Sequence, residues 1–170
     1  MSENFDDPSG NKVLVVDDDE IVLNALKEQL PPLGFHPTVV NSATLAKEHL
    51  TSEIFAVVII DGTLGGEGMG LLELTRETQP DCSRIMLASG IGVNDLAQVL
   101  ESGLIYRYLT KPWMGNDLHV ALVNAAERYR MIKENEALQN RNMQLSEQMA
   151  TGGGGEEEGG SNIGGEGLAF

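Results

Sequence analysis

The sequence predicts an α/β fold, a doubly wound five-stranded parallel sheet extended by a long C-terminal helix. Three observations predict it. Five short apolar runs between residues 12 and 109 alternate with segments of helical spacing, polar residues punctuate the ends of those runs, and residues 116–149 contain neither Gly nor Pro. Strands that are apolar throughout, separated by amphipathic helices, belong to a parallel sheet covered on both faces. Right-handed crossovers then place helices on either side.

The elements follow in order. "KVLVV" at 12–16 is a strand ending in acids, and "IVLNALKEQL" at 21–30 is a helix stopped by Pro31-Pro32. "HPTVV" at 36–40 and "ATLAKEHL" at 43–50 make the second unit, and "FAVVII" at 55–60 with "LLELTRE" at 71–77 the third. "RIML" at 84–87 leads to "VNDLAQVLESG" at 93–103, closed by Gly103, and "YRYL" at 106–109 precedes Lys111-Pro112. The last helix spans 116–149, with Asn116 as its N-cap, and is rich in good helix formers.

Composition excludes several classes of function. A chain of 170 residues, 41% hydrophobic, supports one domain with a real core. No apolar stretch reaches the roughly 18 residues of a membrane span, and the acidic start "MSENFDDPSGNK" is unlike a secretory signal. A soluble cytoplasmic protein is expected. Cys82 is the only cysteine, which precludes an internal disulfide and predicts buried packing. The net charge is −15, and acids in residues 1–11 and 151–170 supply seven of those charges, yet the body remains acidic. With no basic stripe to neutralise phosphates, direct nucleic-acid binding is disfavoured.

Two segments read as disordered: the acidic N-terminus, residues 1–11, and the Gly/Glu-rich tail, residues 151–170, which is too poor in apolar surface to offset chain entropy. Its apolar end, Leu168-Ala169-Phe170, is read as incidental rather than as a handle for a partner or protease. Residues 127–150 form a helical extension. There Met131, Leu138 and Leu145 recur every seven residues, and Asn135, Asn142 and Met149 follow four residues after each. That spacing is a short coiled-coil register with Asn at position a, a choice that trades stability for defined pairing, and it predicts a homodimer through 127–149.

In a doubly wound sheet, function collects at the carboxyl ends of the strands. Asp17, Asp18 and Asp19 follow the first strand, Asp61 the third, Ser89 the fourth and Lys111 the fifth. Three acids brought side by side repel one another unless a cation lies between them, and Mg²⁺ suits carboxylates, water and phosphate. Lys111 supplies a positive charge for a phosphoryl oxygen and Ser89 a hydroxyl. Metal, nucleophile, cation and hydroxyl suffice for phosphoryl transfer to a carboxylate. Asp19 and Glu20 read as caps of the next helix. His36, His49 and His119 share no ligand spacing.

"VLVVDDDE", the apolar strand ending at Asp61, "RIMLASG" and "YLTKPW" together resemble the four signatures of the response-regulator receiver domain, over residues 12–126. The resemblance implies a flavodoxin-like fold and a phosphoprotein of a two-component phosphorelay. Asp61 would accept a phosphoryl group from a phosphohistidine on a sensor histidine kinase or phosphotransfer protein. Asp18 would bind Mg²⁺ directly, Asp17 through water, and the Thr63 carbonyl would complete the protein ligands. Lys111 would pair with the phosphoryl group, its bond to Pro112 being cis. Ser89 would be the switch hydroxyl and Tyr108 the aromatic that follows it. A one-residue slip would put Ala88 in the place of Ser89. "IYRYLTKPW" also resembles receivers that precede cyclic-dinucleotide phosphodiesterase domains, but no such output domain is evident, so the chain would catalyse at most its own phosphorylation and dephosphorylation. A downstream protein partner would read the signal.

The chain departs from the family's pattern after Asp61. Leu64 and Gly65 stand where receivers usually carry Met and Pro, and Glu67-Gly68 stands for the later acid-Gly pair, in a loop one residue shorter. Two alternatives follow. One is a phosphate-independent, receiver-like adaptor. The other is a haloacid-dehalogenase-like phosphatase, suggested by "DGTL" but opposed by Ile59 at the position of that family's nucleophile and by the missing late acidic pair.

Overall fold

A computed structural model describes residues 8–90 and 93–152. The expectations for residues 1–7 and for 153–170, the Leu168-Ala169-Phe170 end included, lie outside the described residues.

The five apolar runs form strands β1 (Lys12–Val16), β2 (His36–Val40), β3 (Val57–Asp61), β4 (Ser83–Ala88) and β5 (Arg107–Thr110). They pair in parallel in the order β2-β1-β3-β4-β5. The helices are α1 (Glu20–Gln29), α2 (Ala43–Ser52), α3 (Gly68–Thr78), α4 (Val93–Glu101) and α5 (Asp117–Gly152). Alternation along each strand divides the core in two. Val13, Val15, Val57, Ile59, Ile85, Leu87 and Leu109 pack with α1 and α5, whereas Leu14, Val16, Val58, Ile60, Met86 and Ala88 pack with α2 and α3. Each of the Val, Leu, Ile and Met side chains among them contributes about 1.5–3 kcal/mol when fully removed from water.

Local chemistry sets the boundaries. Asp19 caps α1, its side chain accepting from Ile21 N at 2.9 Å, as its place after the first strand predicts. Ser42 caps α2 by accepting from Leu45 N. The third strand begins at Val57 rather than Phe55, and a side chain from a distant helix end accounts for the preceding residues. Gln79 accepts from Phe55 N at 3.0 Å and donates to the carbonyls of Leu50 and Glu53. Residues 8–11, read from the sequence as part of the acidic N-terminal segment, form a turn in which the Ser9 hydroxyl lies 2.7 Å from that of buried Tyr129.

The chain divides into two compact units, the first ending at Asn135 and the second starting at Glu136. Within the first, Leu118, Ala121, Leu122, Ala125, Ala126 and Tyr129 bury one face of α5. Within the second, every described residue from 138 to 152 is exposed, Leu138, Leu145 and Met149 among them. No helix among the described residues is long and apolar enough to cross a membrane.

Candidate functional site

The strand alternation that builds the α1/α5 core also builds the site. Asp17 continues the series Val13, Val15; Asp61 continues Val57, Ile59; Lys111 continues from Leu109. All three therefore leave the carboxyl edge of the sheet on the same side. Neighbouring strands lock the edge in register, Gly62 N donating to Leu87 O and Lys111 N to Ala88 O, each at 2.9 Å. The Lys111–Pro112 peptide is cis.

One carboxylate oxygen from each of Asp17, Asp18 and Asp61 lies within 4.8 Å of the others, with Asp17 and Asp61 buried and Asp18 exposed. The Lys111 ammonium reaches Asp17 Oδ2 at 2.6 Å and Asp61 Oδ1 at 3.5 Å. Asp17 Oδ1 accepts from Asp19 N at 2.9 Å, and among the described residues Lys111 is the partner of Oδ2. Burial raises the Asp17 carboxyl above its usual value, and the opposing pull of Lys111 and the Asp19 N–H does not cancel it. Burial alone would lower the Lys111 ammonium, yet Asp17 and Asp61 together hold it above its usual value. One ammonium shared by two buried carboxylates leaves the cluster short of positive charge. A donor set made wholly of carboxylates fits a hard, oxygen-preferring dication.

The loop after Asp61 is more elaborate than its sequence suggests. Thr63 N and Thr63 Oγ1 donate to Asp61 Oδ1 at 3.2 and 3.1 Å. The Thr63 carbonyl, expected as a metal ligand, accepts from Gly66 N at 2.6 Å and from Gly68 N at 3.4 Å, closing a 3₁₀ turn over Leu64–Gly66. Leu64, Gly65 and Gly66 all have positive φ, and the Leu64 side chain is nevertheless buried. Gly68 is enforced by contact, because a Cβ there would lie 2.4 Å from the Asp61 carbonyl oxygen and 2.5 Å from that of Gly62.

Ser89 lies one residue beyond β4 and is exposed, continuing the series Ile85, Leu87 on the side of Asp61, whereas Ala88 is buried in the opposite core. Tyr108, opposite Met86 in β5, is 37% exposed and belongs to the other face of the sheet from Lys111. The structure thus gathers Asp17, Asp18, Asp61, Thr63 and Lys111, sets Ser89 at the same edge and leaves Tyr108 apart. Ile59, where the alternative phosphatase would carry its nucleophile, is fully buried in the core.

The model of the response regulator receiver domain matches residues 13–123. The chain belongs to this family. Among curated relatives, the receiver is 33% identical over 125 residues to the hydrogenase transcriptional regulatory protein HoxA of Bradyrhizobium diazoefficiens, covering 73% of this chain and 26% of that protein. It is 31% identical to the photosynthetic apparatus regulatory protein RegA of Rhodovulum sulfidophilum, covering 72% of this chain and 65% of RegA. Among solved structures, the signal receiver domain of an HD domain-containing protein from Pseudomonas fluorescens Pf-5 superposes with a TM-score of 0.67 at 32% identity, covering 72% of this chain and 91% of that one. The receiver spans about a quarter of the length of the first curated relatives it matches.

Two features of this receiver's site were not read from the sequence as they stand. One is the Thr63 hydroxyl, considered there only for its carbonyl; an Asp followed two residues later by Thr is the local signal, since such side chains bond nearby backbone and side-chain groups. The other is the obligatory glycine at position 68, whose cause is a backbone approach that sequence spacing does not reveal.

Proposed function

We propose that this receiver accepts a phosphoryl group on Asp61 from the phosphohistidine of a sensor histidine kinase or phosphotransfer protein. The observation that carries the reading is the meeting of Asp17, Asp18 and Asp61 around one point with the Lys111 ammonium alongside. An Asp61 carboxylate oxygen attacks phosphorus, the O–P bond forms as the P–N bond of the phosphohistidine breaks, and the released imidazole nitrogen keeps the electron pair and takes a proton. Asp17, Asp18 and Asp61 would hold Mg²⁺, and the Thr63 carbonyl would join them by giving up the longer of its two contacts, that from Gly68 N at 3.4 Å. When bound, the ion would neutralise charge on the transferring group. Lys111 orients and neutralises a phosphoryl oxygen.

The new dianion then recruits the Ser89 hydroxyl, and the shift is read at Tyr108 and the surface around β5, biasing two arrangements of that face. The exposure of Ser89, next to the Ala88 carbonyl that binds Lys111 N, and the burial of the Ala88 side chain in the opposite core favour Ser89 over Ala88. A downstream protein partner reads the change, and the heptad spacing of Met131, Leu138 and Leu145 supports pairing of two copies through 127–149. The chain's own phosphorylation and dephosphorylation are the only chemistry this reading requires.

Acetyl phosphate with Mg²⁺, followed by intact mass measurement, tests it. The expected result is a single phosphoryl adduct that is lost in Asp61→Asn. Steady phosphate release from small esters would instead identify a phosphatase. An unreactive chain would be a receiver-like adaptor.

A further inference from the structure

We infer that Thr63 is a positioning residue for Asp61: its hydroxyl, together with its backbone N–H, clamps Oδ1 and presents Oδ2 as the oxygen that attacks phosphorus. The inference rests on the phosphoacceptor reading above and deepens it. Among the described residues, every hydrogen bond that the Asp61 side chain accepts ends on Oδ1, from Thr63 N at 3.2 Å and Thr63 Oγ1 at 3.1 Å, and the Lys111 ammonium lies 3.5 Å from the same oxygen. A carboxylate free to rotate would offer either oxygen in turn. Two donors from one residue fix its plane, and rotation would break both bonds at once. Fixing the nucleophile in an attacking orientation lowers the barrier by removing that freedom before the donor arrives.

The two donors differ in what a substitution can change. The N–H bond comes from backbone and survives any side chain at position 63 except proline. The hydroxyl bond belongs to Thr or Ser alone. Thr63 is exposed, and its carbonyl is held by Gly66 N and Gly68 N, so the turn does not depend on the hydroxyl. A valine of the same shape therefore removes one donor and leaves the fold in place.

The test compares wild type, Thr63→Val, Thr63→Ser and Asp61→Asn in the full chain. It uses the rate of adduct formation from saturating acetyl phosphate and, separately, Mg²⁺ affinity from the fluorescence of Trp113, the only tryptophan and two residues from Lys111. Thr63→Val should form the adduct about tenfold more slowly, the scale of one hydrogen bond to a charged group. Its Mg²⁺ affinity should stay within about twofold of wild type, because the backbone contacts of residue 63 are retained, and Thr63→Ser should restore the rate, because serine keeps the hydroxyl donor. Unchanged kinetics in Thr63→Val, an equal loss in Thr63→Ser, or a fall in Mg²⁺ affinity matching the fall in rate would each overturn the positioning role while leaving Asp61 as acceptor. Absence of any adduct on the wild-type chain would overturn both readings.

Discussion

At Asp17, burial and charge act against each other, and the balance predicts how the protein responds to pH. The folded chain retains the Asp17 proton to a higher pH than the unfolded chain, whose carboxyl stays near its usual value of 3.8. Between those two values the native state binds more protons, so stability falls as pH rises through the window. Asp17→Asn should flatten that fall and raise the urea midpoint at neutral pH in chelator, because the amide escapes the desolvation that Lys111 only partly offsets. A lower midpoint would mean that the pairing with Lys111 outweighs desolvation. Cys82 responds in the opposite sense to its chemistry. Burial pushes its thiol up to about 11 from 9.0, so iodoacetamide at pH 8 should modify the folded protein at least about a hundredfold more slowly than the urea-unfolded chain.

The loop from Asp61 to α3 is where local conformation and packing compete. Leu64 sits at φ 36°, a left-handed conformation costing on the order of 1–2 kcal/mol for a residue with a Cβ. Its side chain is 4% exposed, and truncating a buried leucine costs about 2–5 kcal/mol. Burial is the larger effect, so Leu64→Gly should lower stability in urea despite relieving the backbone. At Gly68 the two effects act in one direction. A methyl group 2.4 Å from the Asp61 carbonyl oxygen must displace the strand end that carries Asp61. Gly68→Ala should cost about 2–3 kcal/mol and slow adduct formation from acetyl phosphate as well.

Over the whole chain, the two units differ in what stabilises them. The first has a double-sided core, whereas residues 138–152 form helix with no buried side chain. An isolated helix of that length is marginal in water, and pairing of two copies would supply the missing burial. Sedimentation should find the full chain dimeric, and Leu138→Asp with Leu145→Asp should return it to monomer without lowering the adduct yield. A monomeric wild type at micromolar concentration would rule the pairing out.

Much of this protein was legible in one dimension. The apolar runs of the central strands β1 and β3 determined a parallel sheet because a strand covered on both faces has little room for polar side chains, and the polar groups at the ends of four runs marked the edge where chemistry could gather. The resemblance carried by those four motifs agrees with the family that the chain belongs to. Contacts made through space were decided only by the tertiary structure. They include the shared ammonium between Asp17 and Asp61, the Gln79 amide that ties down Phe55, and the carbonyl that forbids a side chain at Gly68. Side-chain period and turn chemistry are local properties of a chain, whereas burial, close approach and the charge balance of a cluster depend on which distant residues the fold brings together.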